Sequence, residues 1–422
     1  MKIEGNYPSG NILWFNDFYF EDNKIIFSVG NFNGLYKYNI NEKNLEFIGN
    51  FKNENILMKQ LYGKVHRYKD KLVFTPLGAE NIGIYDLKSG MFESILLPFP
   101  KVSCGFEGKF LNSVIYDNKL FLFPGRVPYI AEYNFEKEKL IIHDNWYGEY
   151  NNKWGKKSSL LFGYDMVIIR DEIFLPSAHH NGLFRYCLKE NMYEFIEIPC
   201  ECKNIFTLAY DGEYFWCSTN NGKLLKLNVN GRISEEIDIF STYGVKGIFA
   251  YSVYDDGYLW LFLSQTSIVV KISSDDFVKD FEIIRYSQEE KEYTNLEYNT
   301  INFIKKMNNR IFFMSRCNRE IKCICNAAIE NYLEHIMDTT EYIETNIETE
   351  DVYKAFIHYT ERGNFYRHEK YEIALVEQTQ CSETLNFLLN EIKKFEKKQV
   401  NNVFFDNGFN IFKRCLQGDR IT

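Results

Sequence analysis

Short runs of bulky apolar residues alternate along this chain with polar turn phrases, and the same phrase returns in altered spelling. Seven segments align by their turns: FYFEDNKIIFSVG (18–30), HRYKDKLVFTPLG (66–78), VIYDNKLFLFPGR (114–126), VIIRDEIFLPSAH (167–179), LAYDGEYFWCSTN (208–220), SVYDDGYLWLFLS (252–264) and IKKMNNRIFFMSR (304–316). Each holds a half-apolar strand, one or two of Asp, Asn and Gly, and then a strand of aromatic and branched residues. Asn, Asp and Gly tolerate the positive φ of a two-residue turn, while aromatic and branched side chains suit a pleated surface. Every copy therefore predicts a β-hairpin.

Downstream of most copies lies a third strand, as in LYKYNI (35–40), IGIYDL (82–87), YIAEYNF (129–135), LFRYCL (183–188), LLKLNV (224–229) and IVVKIS (268–273). A second polar turn leads to a fourth strand such as LEFIGNF (45–51), FESILLP (92–98), YEFIEIP (193–199) or FVKDFEII (277–284). A four-stranded sheet with two apolar faces cannot bury both alone, so the units must stack face to face about an axis. Seven units spaced by 41 to 53 residues predict an all-β, seven-bladed β-propeller of four-stranded antiparallel blades. A β-sandwich would not repeat a four-strand phrase seven times.

A seven-residue step recurs within the units, from Tyr38 to Leu45, Tyr85 to Phe92, Tyr133 to Leu140 and Tyr186 to Tyr193, and Gly30, Gly78 and Gly125 close the second strand of the first three. In these features residues 12–328 resemble the kelch-like β-propellers, in which a third-strand Tyr precedes a fourth-strand Trp by seven residues and a glycine doublet ends the second strand. Large apolar side chains stand here in place of that Trp. The resemblance implies a propeller and no particular activity.

The turn phrase stops near Ala327, which divides the chain into a propeller over 1–328 and a mainly helical C-terminal extension over 329–422 that packs on it. In SETLNFLLNEIKKFEKK (382–398), Ser382 is an N-cap, Leu385, Leu388, Leu389, Ile392 and Phe395 share one helix face, and late lysines complement the dipole. No clear fourth strand follows the seventh hairpin. Residues Lys2 to Tyr7 or Val403 to Phe405 are expected to supply it and close the ring.

The net charge of −9 argues against nucleic acid as a partner. No stretch of eighteen uncharged apolar residues speaks for a membrane span. Residues 1–11, MKIEGNYPSGN, lack the apolar stretch of a signal peptide, so a cytoplasmic location is expected. Ten irregularly spaced cysteines in a long chain indicate reduced thiols. The Lys-, Asn-, Ile-rich composition suggests an AT-rich bacterial genome.

In a propeller, the loops joining second to third strands and those joining successive blades open on one face around the channel, where polar groups from every blade converge. That places Asn33, Glu80, Arg126, Asn181, Asn220, Gln265, Arg316 and Arg319 as candidate ligand-binding residues. His179 and His180 at one loop apex are candidate acid–base groups, although neighbours on an extended chain face opposite ways and only one would reach the axis. Arg126 and Arg316 are suited to clamp a carboxylate or phosphate. His66 falls on an inner strand as a wall residue, and Asp17, Glu80 and Asp165 are carboxylates that sequence alone cannot pair. Cys200-Glu201-Cys202 and Cys323 with Cys325 lack the doubled Cys-x-x-Cys spacing of zinc sites, so no metal is expected. Phosphate-loop, dinucleotide, nucleophile-elbow and His-Glu-x-x-His motifs are absent, so no cofactor is expected. The favoured function is non-catalytic recognition of a protein, peptide or glycan on the loop-bearing face, in the Asn-, Ser- and aromatic-rich vocabulary of adaptable binding. The alternative is a lyase, isomerase or glycan-processing enzyme using His179 or His180 with Arg126 or Arg316.

Overall fold

The turns govern the architecture. In the computed structural model, Asp22-Asn23, Asp117-Asn118 and Asp256-Gly257 all hold positive φ, as a tight hairpin turn requires. The structure describes residues 3–5, 12–337 and 343–345, apart from 57, 99–107, 155–159, 203, 246, 265, 288–300, 309 and 316–318. The helix expected over 382–398 lies outside these residues.

Seven four-stranded antiparallel sheets follow one another along the chain as blades 1 to 7, over 19–49, 62–96, 110–143, 167–197, 209–238, 249–285 and 301–333. The first strand of each blade is innermost, for the first strands of blades 2 and 3 and of blades 5 and 6 lie side by side. Seven apolar cores separate the blades, and each is shared by two neighbours: Ile26 and Leu35 of blade 1 pack with Leu72 and Phe74 of blade 2, while Val73 turns to Leu120 and Leu122 of blade 3. Burial on both faces is why second strands read as unbroken apolar runs and fourth strands, on the rim, read half-polar. Each such Leu or Phe contributes about 2 kcal/mol relative to exposure. The seven-residue steps become cross-strand neighbours, with Tyr38 opposite Leu45, Tyr85 opposite Phe92, Tyr133 opposite Leu140 and Tyr186 opposite Tyr193.

Blade 7 differs from expectation. Its fourth strand is Ala328–Leu333, reached through a turn in which Asn326 and Ala327 both hold positive φ. Alanine seldom adopts that conformation, which hid the turn in the sequence. Among the described residues no terminal strand joins this sheet, and Val403 to Phe405 lie outside them. The ring closes instead where Ile12–Leu13 pairs antiparallel with Ile336–Met337, beside a core in which Leu13, Phe15, Phe18 and Phe27 meet Phe303, Phe312, Met314 and Ile336. These elements belong to one compact unit, Asn6–Ile343. A second unit comprises Met1–Gly5 and Glu344–Thr422, and the strands Ile3–Gly5 and Ile343–Thr345 form a two-stranded sheet.

A helix that the repeat pattern does not announce, α1 (Asn145–Trp154), is inserted between blades 3 and 4. Trp146 and Tyr150, one turn apart on its inner face, are buried against Phe162 and Phe184.

Candidate functional site

The loops at one end of the ring are welded by backbone hydrogen bonds running from blade to blade. Gly30 N–H donates to Trp14 O, Gln60 to Gly30, Gly78 to Gln60, Lys109 to Leu77, Gly125 to Lys109, Leu161 to Gly125 and Ala178 to Leu161, over 2.6–3.1 Å. Asn220 N–H donates to Asn204 O, and the Asn204 amide reaches Ala178 O at 2.8 Å. The loops after the second strands and the segments between blades therefore share one face, and its backbone is preorganised. Glycine permits the closest approaches: a Cβ on Gly125 would sit 2.1 Å from Gly108 O, and one on Gly30 would sit 2.4 Å from the Trp14 ring.

Several of the asparagines placed on this face by sequence serve the scaffold. Asn33 is fully buried; its amide donates to Phe51 O and Glu54 O at 3.0 and 3.2 Å, and its oxygen accepts from Phe51 N–H. Its polar atoms are thus engaged by the scaffold. Asn181 repeats the device in blade 4, donating to Ile198 O and Cys200 O at 2.9 and 3.2 Å. Both stand in Asn-Gly-Leu at the start of a third strand, where a short amide reaches back to tie down the next interblade segment. Asn220 accepts from Asn204 N–H at 3.4 Å.

The remaining candidates divide by position. Glu80 is exposed, and its backbone N–H donates to the Glu54 carboxylate, which also takes the N–H and amide of Asn81. The Arg319 guanidinium lies over the Trp14 ring, 5.1 Å from its centre. His180 meets the Tyr150 ring of α1 edge-on at 6.3 Å, and His179 N–H approaches Ser177 Oγ at 3.5 Å. Arg126 is half-buried beside Gly108, and its Nε is buried without a hydrogen-bond partner among the described residues. Arg126 and His179 flank the two loops joined through Leu161, so the structure brings them onto adjacent parts of the mouth. Gln265 and Arg316 lie outside the described residues.

Deeper along the axis, polar side chains link the inner strands of different blades. Lys305 of blade 7 donates to Asp17 Oδ1 at 2.8 Å, and Asp17 Oδ2 accepts Val65 N–H of blade 2 at 3.0 Å. His66 Nε2 lies 2.6 Å from Ser113 Oγ of blade 3, which lies 2.6 Å from Thr75 Oγ1. Asn112 donates to Gly163 O. Asp165 Oδ2 accepts Leu208 N–H of blade 5 and both N–H and Oγ–H of Ser252 in blade 6, at 2.8–3.0 Å. Lys306 of blade 7 pairs with Asp255 of blade 6 at 2.7 Å. Inner strands are sheet edges whose N–H groups lack a ladder partner on one side, and the two aspartates accept those of Val65, Leu208 and Ser252.

Burial dominates the titration of this girdle. It lifts Asp165 to about 7, against its three hydrogen bonds and Lys64, and it drops His66 to about 4, so His66 is neutral at pH 7. Asp17 is also penalised by burial, yet Lys305 and Lys64 hold its carboxyl below the usual range. Burial and Lys305 together lower Lys64, which lies within electrostatic reach of both aspartates. Sequence reasoning left Asp17 and Asp165 unpaired and did not single out Lys64 or Lys305. A signal was present, because each aspartate stands two residues ahead of its blade's first strand, at Tyr19 and Val167.

No family model and no curated protein sequence matches the chain. Among solved structures it is similar to YCF48 from Cyanidioschyzon merolae, with 11% identity and a TM-score of 0.50 over 74% of this chain and 94% of that one. It is also similar to BamB from Moraxella catarrhalis (11% identity, TM-score 0.45, 73% and 82% covered). The computationally designed Ika8 protein aligns at 9% identity and a TM-score of 0.48, with 78% and 90% covered. At such identities the likeness extends to the fold alone.

Proposed function

We propose that the propeller is a recognition module that holds a protein, peptide or glycan on its loop-bearing face, through an acidic group of that ligand. The observation that carries this reading is Arg126, whose buried Nε has no partner among the described residues, on a face otherwise stiffened by backbone hydrogen bonds. A carboxylate is the planar acceptor that a guanidinium fork matches. Preorganisation of the surrounding loops lowers the ordering cost of association. The axial acids, by contrast, are spent on interblade hydrogen bonds, which favours binding over catalysis.

Panels of acidic and neutralised peptides and of uronic-acid and neutral oligosaccharides, presented to the full chain, test this. The expected outcome is selection of carboxylate-bearing ligands, with Arg126→Ala weakening binding at least about tenfold and leaving the melting temperature unchanged. Undiminished binding by Arg126→Ala sinks the proposal. Turnover of a panel member that His179→Ala or His180→Ala abolishes would establish the enzymatic alternative in its place.

A further inference from the structure

The segment joining blades 4 and 5 carries two thiols two residues apart. Cys200 and Cys202 both pack against the apolar core shared by these blades, where Cys217 is wholly buried, so their side chains point the same way. Both are free and half-exposed. The chain bends at Cys200 and Glu201, and Cys200 N–H donates to Ile198 O. Asn181 holds Cys200 O from blade 4, and Asn221 holds Glu201 O from blade 5 at 2.9 Å.

Two side chains on one face of a regular strand stand about 6.6 Å apart, beyond the Cβ separation of about 4 Å that a disulfide needs. At 200–202 the chain is bent rather than extended, so that strand spacing does not apply. The contrast is internal to the protein: Cys323 and Cys325 have the same spacing but sit in the unbroken third strand of blade 7, hydrogen-bonded on both sides, with Cys323 buried.

We propose that Cys200 and Cys202 form a reversible dithiol–disulfide site, oxidised by a low-molecular-weight disulfide. The Cys202 thiol donates a hydrogen bond to the Cys200 sulfur, which brings Cys200 down to about 7 and makes it the attacking thiolate. The Cys200 thiolate displaces one thiol from the disulfide and leaves a mixed disulfide. Cys202 then loses its proton and attacks the Cys200 sulfur, expelling the second thiol. The net change is one new S–S bond in the protein, with one disulfide reduced to two thiols. The bond falls in a segment that two mouth loops staple, so the oxidation state sets the shape of that part of the face.

The test treats the reduced full chain with oxidised glutathione at pH 7, quenches with iodoacetamide and maps the peptides by mass. The expected wild-type result is a 200–202 peptide lighter by two hydrogens and free of alkyl groups, with Cys323 and Cys325 alkylated. Cys202→Ser should accumulate glutathione on Cys200, and Cys200→Ser should slow adduct formation on Cys202 at least about tenfold. Doubly alkylated or merely glutathionylated 200–202 in the wild type overturns the site. Equal adduct rates in the two variants overturn the assignment of Cys200 as nucleophile.

Discussion

At the scale of single residues, the axis is where charge and burial oppose each other most sharply. Between pH 3.8 and about 7 the buried Asp165 holds a proton that the unfolded chain releases, so its contribution to stability falls as pH rises. His66 acts in the opposite sense: between about 4 and 6.5 it stays neutral while the unfolded chain takes up a proton, so its contribution rises with pH. The Asp165 contribution amounts to about 4 kcal/mol across its window and that of His66 to about 3 kcal/mol, and the two oppose each other where the windows overlap. Chemical denaturation from pH 4 to 6.5 should therefore show Asp165→Asn gaining stability with pH relative to wild type, and His66→Gln losing it. Parallel profiles for all three proteins would refute the opposition. Neither residue betrays this behaviour in sequence, because the groups around them come from blades far apart along the chain.

At the scale of the element, hairpins were legible wherever their turn chemistry was conventional. Asp-Asn, Asp-Gly and Lys-Asp turns announced themselves, whereas Asn326-Ala327 did not, and with it went the strand Ala328–Leu333. Helix α1 was missed because the repeat pattern drew attention to strands, although Trp146 and Tyr150 carry the helical spacing. The glycines of the first three units were noticed, but their reason is tertiary: room for a neighbouring backbone or ring rather than an unusual φ. Two alanine substitutions should accordingly have opposite signs in denaturant titrations. Gly125→Ala, which meets Gly108 O, should cost about 3 kcal/mol. Gly148→Ala, exposed on α1 with nothing within 4 Å of the new methyl, should stabilise by up to about 1 kcal/mol. A loss at both positions would show that the helix, too, is tightly constrained.

At the scale of the whole molecule, the seam between blades 7 and 1 joins strands that lie more than three hundred residues apart. Leu13→Ala, at a residue 1% exposed, should cost about 3 kcal/mol. Hydrogen exchange should show protection lost first in blades 1 and 7, with blades 3 to 5 retaining theirs; uniform loss would mean that the ring opens as one body. The sequence by itself determined the blade count, the strand order and the face on which the loops gather, because turn chemistry and apolar periodicity act within a few residues. Tertiary structure alone decided which asparagines are staples, that the buried Nε of Arg126 has no hydrogen-bond partner among the described residues, and that Asp17 and Asp165 bind the inner edges together. Those outcomes depend on contacts across blades, and no local pattern encodes the distance between groups that meet only when the ring has closed.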